Sequence, residues 1–276
     1  MTQNNNPEIG HSVEAAGIRT NYLEAGSGAP LVLLHGSGPG VTAWANWRLA
    51  IPEFAKTHRV LAPDLAGFGY TERKAGVVYN LDYWVRHIIG FLDALKIEQA
   101  DFVGNSFGGA LTLAVATRHP DRVRKVVLMG SAGTEFTLTH ELDAVWGYEP
   151  SVENMRTIVQ MFAYDKSLLT EALVASRYDA SIRPGFHESY SSLFPAPRQR
   201  HIAALATPED KLRALDKPVL LVHGREDRVI PLDSSLRLHQ LLQRSELHVF
   251  GQCGHWTQIE KKDRFVGVVE NFLAAA

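Results

Sequence analysis

The sequence predicts an α/β fold with a mainly parallel sheet, and three observations support this. Six short runs are almost continuously apolar, which is typical of strands covered on both faces. These predicted strands are 31–36, 59–64, 100–106, 125–131, 218–224 and 246–254. Stretches with helical spacing fall between them, at 82–95, 107–118, 233–243 and 260–273. Residues 11–26 alternate around a glycine and predict an antiparallel hairpin at one edge, which makes the sheet eight-stranded.

The alternation of strands and helices stops between residues 134 and 206. This segment has helical spacing and no convincing strand, and it separates the predicted strands 125–131 and 218–224. A helical block at this point is expected to form a lid over the carboxyl ends of the strands, where open α/β sheets bind ligands. The predicted domains are therefore a core of residues 1–133 and 207–276 and a helical cap of residues 134–206.

The composition is that of an ordinary globular protein, with 28 basic residues balancing 30 acidic ones. This balance gives no sign of a nucleic-acid partner. The N-terminus "MTQNNNPEIG" lacks the pattern of a secretion signal, and no apolar run approaches the ~20 residues that cross a bilayer. With a single cysteine, Cys253, the chain is expected to lie in the cytoplasm without a membrane partner. It has no H-E-x-x-H motif and no cysteine pair, so we expect no metal site.

A serine between two glycines is the first candidate catalytic residue. The stretch "GNSFG" (104–108) fits the G-x-S-x-G pattern and joins a predicted strand to the predicted helix 107–118. A nucleophile elbow needs this context, because its tight turn lifts the serine above the sheet. We therefore predict that Ser106 is a nucleophile; a glycine-rich turn without chemistry is the alternative interpretation.

Two residues further along the chain complete a predicted catalytic triad. Asp227 follows a strand in "REDRVIP" and His255 follows the last strand in "GQCGHW", in the chain order serine, acid, histidine. His255 would take the serine proton, and Asp227 would hold its imidazole in the correct tautomer. Glu226 is the nearest rival acid. His35 and His223 end strands and are expected to be hydrogen-bonding scaffolds.

Acyl chemistry also needs two N–H donors for the oxyanion that develops. We expect one from the backbone of Phe107, the residue after the nucleophile. The second should come from the loop "HGSGPG" (35–40), with Gly38 as the candidate. A phosphate-binding loop is the competing interpretation, but G-x-G-x-x-G would require a glycine where Val41 stands, and no G-K-[ST] follows.

Over nearly its whole length the chain resembles the α/β-hydrolase superfamily and, within it, the meta-cleavage product hydrolases. These are carbon–carbon bond hydrolases of bacterial aromatic-hydrocarbon catabolism. The matching segments are "HGSGPGVTAWANWR", "PDLAGFGYTER", "VGNSFGGAL", "DAVWGY", "ASIRPGFHESY", "FPAPRQR", "HGREDRVIP" and "GQCGHWTQIE". The resemblance implies hydrolysis of 2-hydroxy-6-oxohexa-2,4-dienoates at the C5–C6 bond, giving 2-hydroxypenta-2,4-dienoate and a carboxylic acid without a cofactor. A serine esterase on the same fold is the alternative.

The implied reaction has two stages. The enol must first pass a proton to C5, because only the keto form expels a stabilised carbanion when the C–C bond breaks. His255 suits both proton transfers, since an imidazole titrates near neutral pH. The C6 carbonyl is then attacked either by Ser106, giving an acyl-enzyme, or by water assisted by His255, giving a gem-diol.

The resemblance also implies two halves of a binding site. A polar subsite for the substrate carboxylate and 2-oxygen is expected from Asn46, Asn105, Arg183 and Trp256, with Ser37 and Gly38 nearby. Arg183 would offer a planar fork to the carboxylate. The wall around the C6 substituent is expected from Ala132, Leu142, Trp146, Ile202 and Ile230. The cap segments favour hydrogen, methyl or a small branched alkyl group at C6. Because family members are commonly dimers or larger, we also expect a homo-oligomer.

Overall fold

The computed structural model describes residues 6–275, and its centre is one eight-stranded sheet. The strands are β1 (His11–Ala15), β2 (Ile18–Ala25), β3 (Ala29–Leu34), β4 (His58–Pro63), β5 (Ala100–Asn105), β6 (Val123–Met129), β7 (Val219–Gly224) and β8 (Ser245–Phe250). Their order across the sheet is β1-β2-β4-β3-β5-β6-β7-β8. The pairs β1–β2 and β2–β4 are antiparallel and all other pairs are parallel. The predicted mainly parallel sheet with a hairpin at one edge is confirmed.

Thirteen α-helices accompany the sheet within the described residues. They are α1 (Ala43–Trp47), α2 (Ile51–Phe54), α3 (Leu81–Ala94), α4 (Phe107–Arg118), α5 (His140–Trp146), α6 (Val152–Phe162), α7 (Glu171–Ser181), α8 (Phe186–Leu193), α9 (Gln199–Leu205), α10 (Glu209–Ala214), α11 (Leu232–Leu241), α12 (Thr257–Glu260) and α13 (Lys262–Ala274). In this part of the chain no helix combines the length and the apolar character that a membrane crossing requires.

Apolar side chains cover the sheet on both faces. Successive residues of a strand point to opposite faces, so Val32 and Leu34 join one apolar cluster while Leu31 and Leu33 join the other. Helices α3 and α4 pack in the first cluster, and α1, α2 and α13 pack in the second. Every residue of β5 and β7 is buried, whereas the edge strands β1 and β8 are partly exposed. This burial explains why the central strands have no polar alternation in the sequence.

Five helices, α5 to α9, form the cap between β6 and β7. The N-cap residues of α5, α6 and α7 are Thr139, Ser151 and Thr170. The side-chain oxygen of each accepts a hydrogen bond from a backbone N–H in the first turn of its helix. The inner faces of these helices belong to the same apolar cluster as α3 and α4, so the cap packs directly on the core. The predicted helical insertion between the sixth and seventh strands is confirmed.

A buried carboxylate organises the loops after β4. Asp64 accepts hydrogen bonds from the backbone of Ala43 (2.7 Å) and Tyr70 (2.8 Å) and from Asn21 Nδ2 (2.8 Å). Gly69 has a φ of +52°, and a Cβ there would lie 2.2 Å from Asp64 Oδ2, so only glycine fits. Burial raises the pKa of Asp64 to about 6. This network fixes the segment that leads from β3 to α1, which borders the active-site cavity.

Candidate active site

Ser106 occupies a tight turn between β5 and α4. Its φ of +54° and ψ of −114° are strained for a residue with a side chain. The flanking glycines make the turn possible: a Cβ at Gly104 would lie 2.5 Å from Gly108 O, and one at Gly108 would lie 2.4 Å from Leu34 O. The Ser106 N–H donates to Met129 O at 2.9 Å and ties the turn to β6. The turn therefore has the geometry of a nucleophile elbow.

The acid and the histidine follow β7 and β8 and meet beside this turn. His255 Nδ1 lies 2.7 Å from Asp227 Oδ2, and the other carboxylate oxygen accepts from the N–H groups of Val229 (2.8 Å) and Ile230 (3.0 Å). Burial alone would raise the pKa of Asp227, but His255 and His223 hold it below its usual value. The ionised carboxylate therefore fixes the proton on Nδ1 of His255, leaving Nε2 as the base.

The rival acid, Glu226, points away from His255. Its carboxylate accepts from the N–H of Cys253 at 3.0 Å and from Nε of Arg225 at 2.8 Å. These contacts hold the turn after β8, so Glu226 supports the loop that carries His255. The geometry favours Asp227 as the acid of the triad.

The two other histidines at strand ends are scaffolds, as the sequence indicates. His35 Nε2 accepts from the N–H of Leu65 (2.9 Å), so its Nδ1–H donates to Gly36 O (2.8 Å). His223 contacts Ser235 Oγ (2.7 Å) and the carbonyl of Ile230 (3.0 Å). Both ring nitrogens of each histidine are thus occupied, which leaves neither imidazole free as a general base.

A cavity of about 300 Å³ lies between the core and the cap, and Ser106 and His255 open into it. This volume suits a small organic molecule. The remaining polar lining residues are Ser37, Asn46, Arg48, Asn105, Arg177, Trp256 and Gln258. The apolar lining comes mainly from the cap and consists of Pro39, Val41, Ala45, Leu142, Val145, Met155, Ile158, Val159, Phe162, Leu168, Leu173, Val229 and Ile259. The cavity therefore combines polar groups with a large apolar lining.

The backbone N–H groups of Gly38 and Phe107 are available as oxyanion donors. Neither donates a hydrogen bond to an acceptor among residues 6–275. Gly38 lines the cavity, and a Cβ built on it meets no atom within 4 Å. Gly36 is not available, because its N–H donates to Asn46 Oδ1 at 3.2 Å. The arrangement agrees with the donors predicted from the sequence.

Most of the predicted polar subsite lines the cavity. Ser37, Asn46, Asn105 and Trp256 all face it. In the described part of the chain the buried Nδ2 of Asn46 has no hydrogen-bond partner, whereas Asn105 Nδ2 donates one bond to Met129 O at 3.2 Å. Each amide therefore keeps at least one N–H for a ligand.

Arg183 is the exception, and the geometry does not support it as the carboxylate partner. It forms an ion pair with Glu8, and its guanidinium lies 5.6 Å from the ring centre of Tyr70 and 5.7 Å from that of Phe186. It lies beyond the end of α7 and does not line the cavity. Arg177, within α7, lines the cavity instead.

The burial pattern of α7 explains why Arg177 lines the cavity, whereas the weak apolar periodicity of this helix gave no sequence signal for it. Val174 and Ser181 are buried, and Arg177 lies three residues after the first and four before the second. Residues at this spacing share one face of a helix, so Arg177 belongs to the inward face of α7.

Two arginines give the cavity a positive charge. Arg177 Nη2 donates to the carbonyls of Gly40 (2.8 Å) and Pro39 (3.3 Å), and burial lowers its pKa to about 10. Arg48 Nη1 donates to Ala45 O at 2.7 Å, and burial lowers its pKa as well. Within the described residues neither guanidinium forms an ion pair with Asp or Glu. A bound anion would therefore supply the missing charge partner.

The predicted wall around the C6 substituent is only partly present in the lining. Leu142 lines the cavity, whereas Ala132, Trp146, Ile202 and Ile230 are buried without lining it. Trp146 stacks on Phe194, with ring centres 4.3 Å apart. The residue next to Ile230, Val229, faces the cavity. Four of the five expected wall residues therefore do not line the cavity, although they belong to the same apolar cluster as Leu142, and other residues of α5, α6 and α7 supply most of the wall.

The fold, and the arrangement of Ser106, His255 and Asp227 after strands β5, β8 and β7, are those of an α/β hydrolase. The family model of the alpha/beta hydrolase fold matches residues 29–262. The chain is 60% identical to a 2-hydroxymuconate semialdehyde hydrolase from Pseudomonas sp. (strain CF600), over 99% of this chain and 96% of that protein. It is 57% identical to a 2-hydroxy-6-oxo-2,4-heptadienoate hydrolase from Pseudomonas putida strain F1, over 99% of both chains.

A solved structure leads to the same assignment. A meta-cleavage product hydrolase from Pseudomonas fluorescens IP01, complexed with acetates, matches with a TM-score of 0.96 and 57% identity, covering 97% of this chain and 98% of that chain. The chain belongs to the meta-cleavage product hydrolases of the α/β-hydrolase family.

Proposed function

We propose that the protein hydrolyses the C5–C6 bond of 2-hydroxy-6-oxohexa-2,4-dienoates, giving 2-hydroxypenta-2,4-dienoate and a carboxylic acid. One observation carries this proposal: Ser106 and His255 open into a cavity that also contains Arg48 and Arg177, and neither arginine forms an ion pair with Asp or Glu among residues 6–275. An esterase needs the triad and the oxyanion donors but no cationic side. A dienoate brings a carboxylate that fits there, and the names of the relatives support the same substrate class.

Arg177 and the two asparagines bind the oxygenated end of the substrate. The guanidinium of Arg177 is already oriented by two carbonyls of the loop 36–40, so it offers a fixed fork to the carboxylate. Asn46 and Asn105 donate their free amide N–H groups to the carboxylate or the 2-oxygen without adding charge. This anchoring places C5 and C6 beside His255 and Ser106.

In the first stage His255 moves a proton. Nε2 removes the proton of the 2-hydroxyl group, and the electron density passes through the diene to C5, which takes up a proton. The product is the keto form, in which the C5 carbanion formed by cleavage is stabilised as a dienolate. Asp227 stabilises the imidazolium while it holds the proton.

In the second stage the C6 carbonyl is attacked. Gly38 and Phe107 donate to the C6 oxyanion, and the C5–C6 bond breaks as the tetrahedral centre collapses. Ser106 is the nucleophile in our proposal, and water then releases the carboxylic acid from the acyl-enzyme. Rapid-quench mass spectrometry distinguishes this route from direct attack by water, because only the first adds the mass of the acyl group to the protein.

The apolar side of the cavity holds a small C6 substituent. Leu142, Val145 and Val229 line it together with the inner face of α6. We propose hydrogen, methyl or a small branched alkyl group, in agreement with the two substrates named for the relatives. One methylene changes the preference by only ~1–3 kcal/mol. Relative kcat/KM values for C6-hydrogen, methyl, isopropyl and phenyl substrates test this order.

The decisive experiment uses the yellow ring-fission product of 3-methylcatechol. The wild-type protein should bleach it with formation of acetate, and Ser106→Ala should not. A nitrophenyl ester is assayed in parallel. Fast ester hydrolysis without loss of the yellow colour would instead establish the protein as an esterase.

We also propose that the protein is a homo-oligomer of the cytoplasm and that residues 134–206 form a cap distinct from the core. The partly exposed edge strand β8 supports an oligomer. The run of helices between β6 and β7 supports the cap. Light scattering after size exclusion measures the mass in solution, and limited proteolysis locates the domain boundaries.

A further inference from the structure

The loop Gly36–Gly40, which carries the oxyanion donor Gly38, is attached to the cap as well as to the core. On the core side Asn46 Oδ1 accepts from Gly36 N. On the cap side Trp146 Nε1 donates to Ser37 Oγ at 2.9 Å, and Arg177 donates to the carbonyl of Gly40 at 2.8 Å. These contacts connect α5 and α7 to both sides of Gly38.

The loop and α7 also fit together closely. Gly40 has a φ of +65°, and a Cβ at this position would lie 2.6 Å from the backbone nitrogen of Ser181. The loop backbone therefore packs directly on the end of α7.

Trp146 is a rigid donor. Its indole is 3% exposed and stacks on Phe194, with ring centres 4.3 Å apart and planes 9° apart. Its acceptor, Ser37, is 7% exposed and is the residue immediately before Gly38. A buried hydrogen bond between two fixed groups restricts the backbone at Ser37 and consequently the direction of the Gly38 N–H.

Two hydrogen bonds hold the peptide groups on either side of Gly38: its carbonyl accepts from the N–H of Val41 at 3.2 Å, and the Ser37 carbonyl accepts from the hydroxyl of Tyr190 at 3.3 Å. The side-chain contact of Ser37 adds to these two bonds. A Cβ built on it would meet no atom within 4 Å, and its N–H donates to no acceptor in residues 6–275. An oxyanion donor must be preorganised, because a small error in its position removes much of its effect on the transition state. The required order has to come from its neighbours in the loop.

We propose that Trp146 is a positioning residue of the reaction: through Ser37 it holds the loop 36–40 so that the N–H of Gly38 faces the oxyanion. The oxyanion hole is then complete only when the cap is seated on the core. This inference rests on the proposed attack at the C6 carbonyl, and it assigns Trp146 a role different from that of a wall around the C6 substituent.

The test is Trp146→Phe, which keeps a stacked aromatic ring and removes the N–H donor. We expect kcat to fall about tenfold for dienoates and for a nitrophenyl ester alike, with KM changed less than twofold, because the oxyanion is common to both reactions. In a Ser106→Ala background the same substitution should leave dienoate affinity unchanged. A loss that grows or shrinks with the size of the C6 substituent would instead assign Trp146 to the wall and overturn the proposal.

Two further variants separate positioning from general damage to the cap. Ser189→Ala removes another hydrogen bond of the cap, to Gly67 O at 2.7 Å, which does not involve the loop 36–40, and should leave kcat unchanged. In a Ser37→Ala background, Trp146→Phe should have almost no additional effect, because the acceptor is already absent. A full tenfold loss in that background would overturn the proposal. If the wild type cleaves only the ester, the proposed substrate is wrong, yet the same cycle measured on the ester still decides the role of Trp146.

Discussion

The core and the cap build opposite sides of one cavity by different means. The core places Ser106 and His255 in turns after strands, where glycines and backbone hydrogen bonds leave few alternatives. The cap places Arg177 and most of the apolar lining on helix faces. A residue after a parallel strand always lies at the same edge of the sheet, whereas a residue on a helix reaches the cavity only if its angular position is right. Chemistry therefore resides in the core, and recognition resides largely in the cap.

Ser106→Ala should separate most clearly the chemistry of the core from the substrate binding of the cap. Turnover of the dienoate should fall ~10⁵-fold or more, as for other serine nucleophiles. The yellow substrate should nevertheless bind with nearly the wild-type dissociation constant, because Arg177 and the amides are unchanged. Stopped-flow absorbance measures both quantities. Loss of binding in parallel with turnover would show that recognition is not a separate property of the cap.

Asp227→Asn should lower kcat by ~10⁴-fold, since an amide no longer fixes the tautomer of His255. Glu226→Gln is the matched control, because Glu226 is adjacent in sequence but contacts Cys253 N rather than the imidazole. The control should keep kcat within a few-fold of wild type. Equal losses for both variants would mean that the acid of the triad is shared between them.

On the cap, Arg177→Gln should lower kcat/KM for dienoates ~100-fold, because removing one partner of a buried charge pair costs ~2–5 kcal/mol. Arg183→Gln is the control, since Arg183 pairs with Glu8 outside the cavity. It should change kcat/KM less than threefold. Arg183→Gln should not affect hydrolysis of an uncharged ester. Arg177→Gln should lower ester hydrolysis much less than dienoate hydrolysis, because the ester loses only the contacts of Arg177 with the loop 36–40. The opposite ranking of the two arginines would restore Arg183 to the polar subsite.

These two arginines also show how far the sequence could predict the site. The sheet, the triad and the oxyanion loop follow from patterns tied to strand ends, where apolar runs, glycines and Gly104–Gly108 determine position. The choice between Arg177 and Arg183 depends on which way α7 faces and where it ends, at Ser181. In the structure, the burial of Val174 and Ser181 shows which arginine faces the cavity. The family motif at 180–190, which contains only Arg183, does not carry this information.

The unknown orientation of the cap helices also explains why most of the residues expected around the C6 substituent do not line the cavity. Trp146 and Ile202 lie on cap helices and are buried, as an apolar residue in such a segment should be. Burial alone does not distinguish a side chain facing the cavity from one packed against Phe194 or the core. Only Leu142 among the expected wall residues lines the cavity, because the packing of five helices on one another, which no single segment encodes, determines the lining.

The smallest expected effect concerns stability, and it belongs to the core side. Burial lowers the pKa values of His35 and His87 from 6.5 to about 4. The unfolded chain takes up these protons below about pH 6.5, and the native protein does so only near pH 4. The stabilisation is therefore present above pH 6.5 and is lost as pH falls toward 4, by about 2 kcal/mol per histidine at about pH 5. Asp64, whose pKa is raised to about 6, has the opposite effect. Its protonation increases the free energy of unfolding by about 1 kcal/mol at about pH 5.

Urea unfolding at about pH 7 and about pH 5 measures this loss. His87→Gln should reduce the difference between the two free energies of unfolding by about 2 kcal/mol, because the buried titrating group is gone. His11→Gln, at an exposed histidine, is the control and should leave the difference unchanged. The acid sensitivity would then originate in the core, where His87 Nε2 contacts Thr20 Oγ1 at 2.8 Å. His35 accepts from the N–H of Leu65 and cannot be protonated without losing that bond. If the difference between the two free energies of unfolding is unchanged in His87→Gln, the acid-sensitive groups lie elsewhere. The loss of stability in acid could then no longer be assigned to the core rather than the cap.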